Sequence, residues 1–486
     1  METIHFKTVD PVSQDLLRGA SRGGLELNWE RYEKQQPQDG FLRLGLSCPY
    51  GCMQGPCRID PFGRGAEGGI CGLNRDEMVA ASLLRLTLQG ILEIMDEHQA
   101  TRREQEITWP APLDGRAAAA LAHAGGPPLS IREISESAVM LARPSAPATA
   151  IVRQAIRLGL LGLGVMEQKR HPRKSPGALE CRAGYGLLAG EDILIGMAGR
   201  IPLAEVKALQ KETAGLKKPK VRLVSLGDWI PAGKTFLPIA CTSGEAETVL
   251  SAGKFHLLVA GRGADPGLLA LSRRMKVPVV FSGEKAGAAD TLKQARDAYD
   301  HRSAVSFHPA PDLVGKGRVS LGEKEVLAAL ADGTAGKIAL LGGADTLQGS
   351  LGHLPVALAK ALRGGDHAVA SWGDAAVWMI KQDLPAGILD PREGPLAAVR
   401  ALAAAGRLSH LKGISFTGLR DCRELTLALG LAALGLKVSV ATPLPLWGSE
   451  KVRSLLGDTL AATGGSLAHF DHPVQAEEIL DWFLRP

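Results

Sequence analysis

Ser47-Cys48-Pro49-Tyr50-Gly51-Cys52-Met53-Gln54-Gly55-Pro56-Cys57-Arg58-Ile59, followed by Gly69-Ile70-Cys71-Gly72, holds four of the chain's seven cysteines within 24 residues. The spacing is C-x3-C-x4-C-x13-C. Thiolates are soft donors that hold iron–sulfur clusters or zinc, and both want four donors in tetrahedral array. Zinc sites usually draw cysteine pairs from two knuckles. Here three thiols come from one Gly- and Pro-punctuated loop and the fourth from farther along. That arrangement favours a [4Fe–4S] cluster on Cys48, Cys52, Cys57 and Cys71, because Gly51, Gly55 and Gly72 let backbone N–H groups approach the sulfides. Zinc and an unmetallated set stay open as alternatives. Disulfides fit less well, since the N-terminus has no secretory pattern and the other cysteines are distant.

Working outward, 486 residues suggest two to four domains with a substantial core. Apolar content of 45% and charged content of 22% describe an ordinary soluble protein. A formal charge of +5 is small for this length, and no aromatic-interleaved basic patch points to nucleic acid. The basic runs Lys169–Lys174 and Lys217–Arg222 contain proline and read as exposed loops that could dock an acidic redox partner. No apolar stretch of 18 residues runs without charge or turn signal, so no membrane span is expected. Reduced thiols then suggest a cytoplasmic, anaerobic setting.

Periodicity divides the chain into three. Residues 1–215 read as a helical domain carrying the [4Fe–4S] site, with a long amphipathic helix from Arg75 to about His98 as its spine. Further helices are expected over residues 114–127, Ile131–Leu141, Thr149–Leu160 and Ile193–Ala198. Residues 216–332 and 333–486 each alternate strands with helices of about 10–15 residues, the texture of Rossmann-like, doubly wound parallel sheets. Expected strands include Val221–Gly227, Phe236–Cys241, Phe255–Ala260, Val277–Phe281 and Ala304–His308 in the first, and Ile338–Gly342, Asp366–Ser371, His410–Thr417 and Lys437–Thr442 in the second. The fold class is therefore α + α/β. No strand precedes a full Gly-x-Gly-x-x-Gly at Gly159–Gly164, so no dinucleotide site is assigned there.

Trp29-Glu30-Arg31-Tyr32-Glu33, Gln35-Gln36-Pro37-Gln38, Gly55-Pro56-Cys57-Arg58-Ile59-Asp60-Pro61-Phe62-Gly63 and Cys71-Gly72, with Asp76 and Val79-Ala80, together resemble the amino-terminal region of the anaerobic nickel–iron–sulfur carbon monoxide dehydrogenase catalytic subunits. The resemblance implies a [4Fe–4S] cluster on Cys48, Cys52, Cys57 and Cys71, with a first gap one residue longer than the family's. It also implies a homodimer whose shared cluster uses two more cysteines. Those positions match Asp39 and Ser47, so the bridging cluster is not expected.

The family's nickel centre uses one histidine and five cysteines. Asp228 stands in the histidine's place, and Cys241 matches one thiolate. The other slots fall near Gly263, on Gly342-Gly343-Ala344-Asp345, on Asp374, and on Arg420, two positions from Cys422. Nickel is not expected, because two thiols are too few for a sulfide cluster. Lys451 matches a family lysine that assists proton chemistry, and His98 lies beside a relay position. Asp228, Arg262, Asp265, Asp345, Asp374, Arg420 and Asp421 would leave a polar cleft instead, and Gly342–Thr346 a turn able to face an anion.

These features point to an iron–sulfur electron-transfer subunit of an anaerobic oxidoreductase complex, with no catalytic residue of its own, Arg58 tuning the cluster, and other redox subunits as partners. The alternatives are an active enzyme with an altered cluster and a non-redox, cluster-stabilised scaffold or sensor.

Overall fold

The computed structural model describes residues 6–35, 40–98, 106–142, 145–168, 177–214, 216, 219–284, 287–300, 307–331 and 336–485. Asp39, the basic run 169–174 and most of the expected strand Ala304–His308 lie outside them. Among the described residues the strands are β1 (Leu179–Ala183), β2 (Ile193–Ala198), β3 (Val221–Leu226), β4 (Ile239–Cys241), β5 (Phe255–Ala260), β6 (Val279–Phe281), β7 (Gly315–Ser320), β8 (Lys337–Gly342), β9 (His367–Ser371), β10 (Gly387–Leu389), β11 (Leu411–Phe416), β12 (Lys437–Val440) and β13 (Ser466–His469). The expected fold class holds: a helical N-terminal stretch leads into Rossmann-like, largely parallel α/β structure.

The chain forms two compact units, each assembled from three segments. The first comprises Met1–Gln36, Lys174–Asp332 and Ala344–Gly394. Its strands run β9-β10-β7-β1-β4-β3-β2-β5-β6, and every pairing is parallel except β1 with β7. β2 corrects the helix expected over Ile193–Ala198. Six apolar residues fit either period, and here all six are buried, as in a central strand covered on both faces. Gly196 belongs to that packing: a Cβ there would sit 3.0–3.3 Å from the side chains of Leu226, Phe255 and Leu258. At the amino end, Asp10 caps the helix Pro11–Arg22 by accepting the Val12 N–H at 2.9 Å, with Pro11 in the first turn. That helix buries Ser13, Gln14, Leu17 and Ala20.

The second unit comprises Pro37–Arg173, Gly333–Gly343 and Pro395–Pro486. Its strands run β13-β12-β11-β8, all parallel. Helices Arg75–Glu97, Ala148–Gln168 and Cys422–Ala433 pack together beside them. Glycines allow the close approach. A Cβ on Gly159 would lie 2.7 Å from the Gly430 nitrogen, and one on Gly90 would lie 2.2 Å from the Cys422 carbonyl oxygen. Asn74 and Glu77 form a reciprocal capping box that starts the first helix. Two of the three, Arg75–Glu97 and Ala148–Gln168, are long and apolar enough to cross a membrane by length and composition, yet most of each apolar window is buried inside the protein.

Candidate functional site: a buried ionic network in the first unit

Lys381 ends the helix Gly373–Lys381, directly after a buried run from Asp374 to Ile380. Its side chain is 3% exposed. The ammonium lies 2.8 Å from Asp10 Oδ2 and 2.8 Å from each Glu245 oxygen. It also sits over the rings of Tyr185 at 4.5 Å and Trp378 at 4.4 Å, so the cation is held by charge and by π faces together. Glu245 is fully buried and fully engaged. The hydroxyls of Ser13 and Tyr185 bond one oxygen, the latter at 3.2 Å. The Thr242 N–H and hydroxyl reach the other at 3.1 and 3.2 Å.

Thr242 links this ion pair to two more carboxyls. Its hydroxyl bonds Asp345 Oδ2, while the Trp378 Nε1–H donates to Asp345 Oδ1 at 2.8 Å. Asp374, in the first helical turn where an anion is favoured, accepts the Ser243 N–H at 3.0 Å, the Ser243 hydroxyl and the Asp345 N–H at 3.0 Å. Burial, with the Asp374 charge added, pushes the Asp345 carboxyl up to about 8. The protonated form of Asp345 is thereby favoured near neutral pH.

Burial alone would discharge Lys381, but the Glu245 and Asp10 charges outweigh it and raise its pKa. Burial, reinforced by Glu245, raises the Cys241 thiol well above its usual range. The protonated thiol is thereby favoured at Cys241.

Of the seven residues expected in a polar cleft, the structure brings Asp345 and Asp374 into this network. Asp228 accepts the Gly199 N–H at 2.6 Å, and its charge is felt at Cys241. Asp265 caps the helix Pro266–Arg274, and Arg262 is exposed, bridging Arg200 through its backbone. In the second unit Asp421 caps the helix Cys422–Ala433, and the Arg420 N–H donates to Glu424 at 3.0 Å. Lys451 pairs with Asp76 at 3.3 Å with its side chain 67% exposed. The sequence reading missed Asp10, Ser13, Tyr185, Glu245 and Lys381. A lysine closing an otherwise apolar helix was the available signal.

The cysteine loop does not form the expected metal centre. Ser47 and Arg58 are bridged antiparallel, and the Cys48 N–H donates to the Cys57 carbonyl at 2.9 Å. The Gln54 N–H meets Cys52 Sγ and the Ile70 N–H meets Cys57 Sγ, both at 3.4 Å. Burial raises the Cys48 thiol, and charge on Cys57 and Cys71 adds to it. Cys52 and Cys71 are exposed, and none of the four is in a disulfide. Among the described residues no group of three or more His, Cys, Asp or Glu side chains could hold a metal ion. This overturns the [4Fe–4S] cluster on Cys48, Cys52, Cys57 and Cys71. Spacing fixes the length of a loop, whereas a cubane needs four sulfurs converging on one volume.

No family model matches the sequence. Carbon monoxide dehydrogenase 1 of Methanosarcina mazei is 44% identical over 116 residues, which are 24% of this chain and 18% of that relative. The carbon monoxide dehydrogenase of Rhodospirillum rubrum is 48% identical over 81 residues, 17% of this chain and 12% of its own length. The match thus spans less than a fifth of these curated relatives. Solved structures extend the likeness in fold. Carbon monoxide dehydrogenase IV from Carboxydothermus hydrogenoformans superposes with a TM-score of 0.77 at 19% identity, covering 98% of both chains. A Ni-free carbon monoxide dehydrogenase from Thermococcus sp. AM4 gives 0.75 at 19% identity, covering 99% of this chain and 98% of that one. An acetyl-CoA synthase/carbon monoxide dehydrogenase structure gives 0.78 at 16% identity, covering 98% of this chain and 93% of the other.

Proposed function

We propose that this divergent homologue of the anaerobic carbon monoxide dehydrogenase catalytic subunits serves as a subunit of a larger oxidoreductase assembly, without a nickel centre and without turnover on its own. One observation carries the reading. Asp374, where the resemblance places a thiolate, and Asp345, in the turn that matches another ligand slot, are bound into a network whose oxygens already have partners. A nickel–iron–sulfide cluster needs thiolates at nearly every corner.

The fold shared with a chain of an acetyl-CoA synthase/carbon monoxide dehydrogenase supports a place in a complex. Burial of the two longest apolar helices supports a cytoplasmic one. The test is affinity purification of the full chain from anaerobically grown native cells. Recovery in fixed stoichiometry with an oxidoreductase subunit is expected. Recovery of the chain alone, oxidising CO, overturns the reading and favours an active enzyme with an altered centre.

A further inference from the structure

The loop that leads from β13 into the C-terminal helix Ala476–Leu484 places a histidine between two acids. His472 Nδ1 lies 2.7 Å from Asp471 Oδ1, and its Nε2 lies 3.1 Å from Glu478 Oε2. Glu478 is also the third residue of the helix and closes its capping box, with Oε1 accepting the Gln475 N–H at 3.0 Å. Val474, Ala476, Ile479 and Phe483 are buried. Trp482 and Phe483 press so closely on Gly413 of β11 that a Cβ there would meet both at 2.9 Å. The far end of the helix is fastened separately, by Lys437 Nζ on the Arg485 carbonyl at 2.7 Å. The near end is held by the capping box and by His472.

A neutral imidazole has one N–H to give. Here both ring nitrogens face carboxylate oxygens, so both contacts are hydrogen bonds only while the ring is an imidazolium. The bonds to Asp471 and then Glu478 raise the ring above 6.5. The same His472 bond lowers Asp471, while Glu478 is lowered first by the Gln475 N–H and then by His472. Three further charged groups face the cluster. Arg453 acts on Asp471, the Arg43 guanidinium donates to the Asp471 carbonyl at 3.4 Å, and Glu477 stands in the first helical turn. The His472 side chain is 52% exposed, so it exchanges protons freely with bulk water.

We infer that His472 is a pH-operated clasp on the C-terminal helix: as an imidazolium it ties Asp471 to Glu478 and holds the first helical turn, and on losing its proton it lets that turn fray. The sign follows from linkage. The hold is full below 6.5 and is lost as pH rises through the higher value of the folded ring. The clasp stands on the geometry of this one loop and does not depend on the subunit reading.

The test is amide hydrogen exchange of the full-length protein from about pH 5.5 to about pH 8.5, the range in which histidine titrates, corrected for base-catalysed intrinsic rates. Protection of the Gln475–Ile479 amides should fall about two- to five-fold across the His472 titration, the scale of exposed ion pairs. The helix Arg75–Glu97 should show no such step. His472→Gln should give the low, high-pH level throughout, and His472→Lys, which keeps its charge, should give a profile without the step. Equal protection at both ends of the range in the natural protein overturns the inference, as does a step that survives in His472→Gln.

Discussion

Lys381 grips Glu245 through both carboxylate oxygens at 2.8 Å, with side chains only 3% and 0% exposed. Removing one member of a buried pair leaves an uncompensated charge, at a cost of about 3–5 kcal/mol. Lys381→Met should therefore lose stability on that scale in urea unfolding. Adding Glu245→Leu should recover part of the loss, because the two residues are coupled. A single substitution costing under about 1 kcal/mol would place the pair among the weak, solvent-screened kind.

Asp345 gives the protein a pH dependence opposite to that of a salt-bridged acid. Its carboxyl holds a proton up to about 8 when folded, against 3.8 in an unfolded chain. Between those values the folded state binds the extra proton, so its contribution to stability is full below 3.8 and declines as pH rises towards 8. Asp345→Asn should flatten that decline in unfolding curves taken across the range. An unchanged slope would mean that Asp345 ionises normally.

His469 should act at the acid end. Burial, with Arg453 nearby, lowers its ring to about 4 from 6.5, and it packs edge-on against Trp447. Below 6.5 the unfolded chain takes up a proton that the folded ring refuses until about 4. Stability from this residue therefore falls as pH drops through that interval. An NMR titration should find the ring neutral at pH 5.5, and His469→Phe should remove the effect.

Helix packing in the second unit can be tested with two alanines. Gly159→Ala would push a methyl to 2.7 Å from the Gly430 nitrogen and should cost about 1–3 kcal/mol through overpacking. Gly115→Ala, in the helix Ala111–His123 with nothing within 4 Å of the new carbon, should instead stabilise by about 0.4–1 kcal/mol. Equal effects from the two would argue against the close helix contact.

Long periodic elements were legible in the sequence. Arg75–Glu97 was read within a residue of its ends, and Phe255–Ala260 and Val221–Leu226 appeared as strands because β-branched, apolar runs between turns have few other readings. Ile193–Ala198 failed because six apolar residues carry no period. β1 and β7 failed because Glu180, Arg182, Lys316 and Arg318 make them look polar. Asp345 and Asp374 were picked out as neighbours of a polar region, but Asp10, Tyr185, Glu245 and Lys381 come from four distant segments that only tertiary structure unites. The cysteine spacing misled for a related reason. It records which thiols share a loop and says little about where each sulfur ends up.

The most direct test is CO-dependent reduction of a viologen dye by the oxygen-free, full-length chain, produced with nickel and iron supplied and assayed alone beside its nickel content. The network of Asp10, Glu245, Asp345, Asp374 and Lys381 leads us to expect no CO-dependent reduction and no stoichiometric nickel. Reduction by the isolated chain that rises in proportion to bound nickel would contradict the proposal.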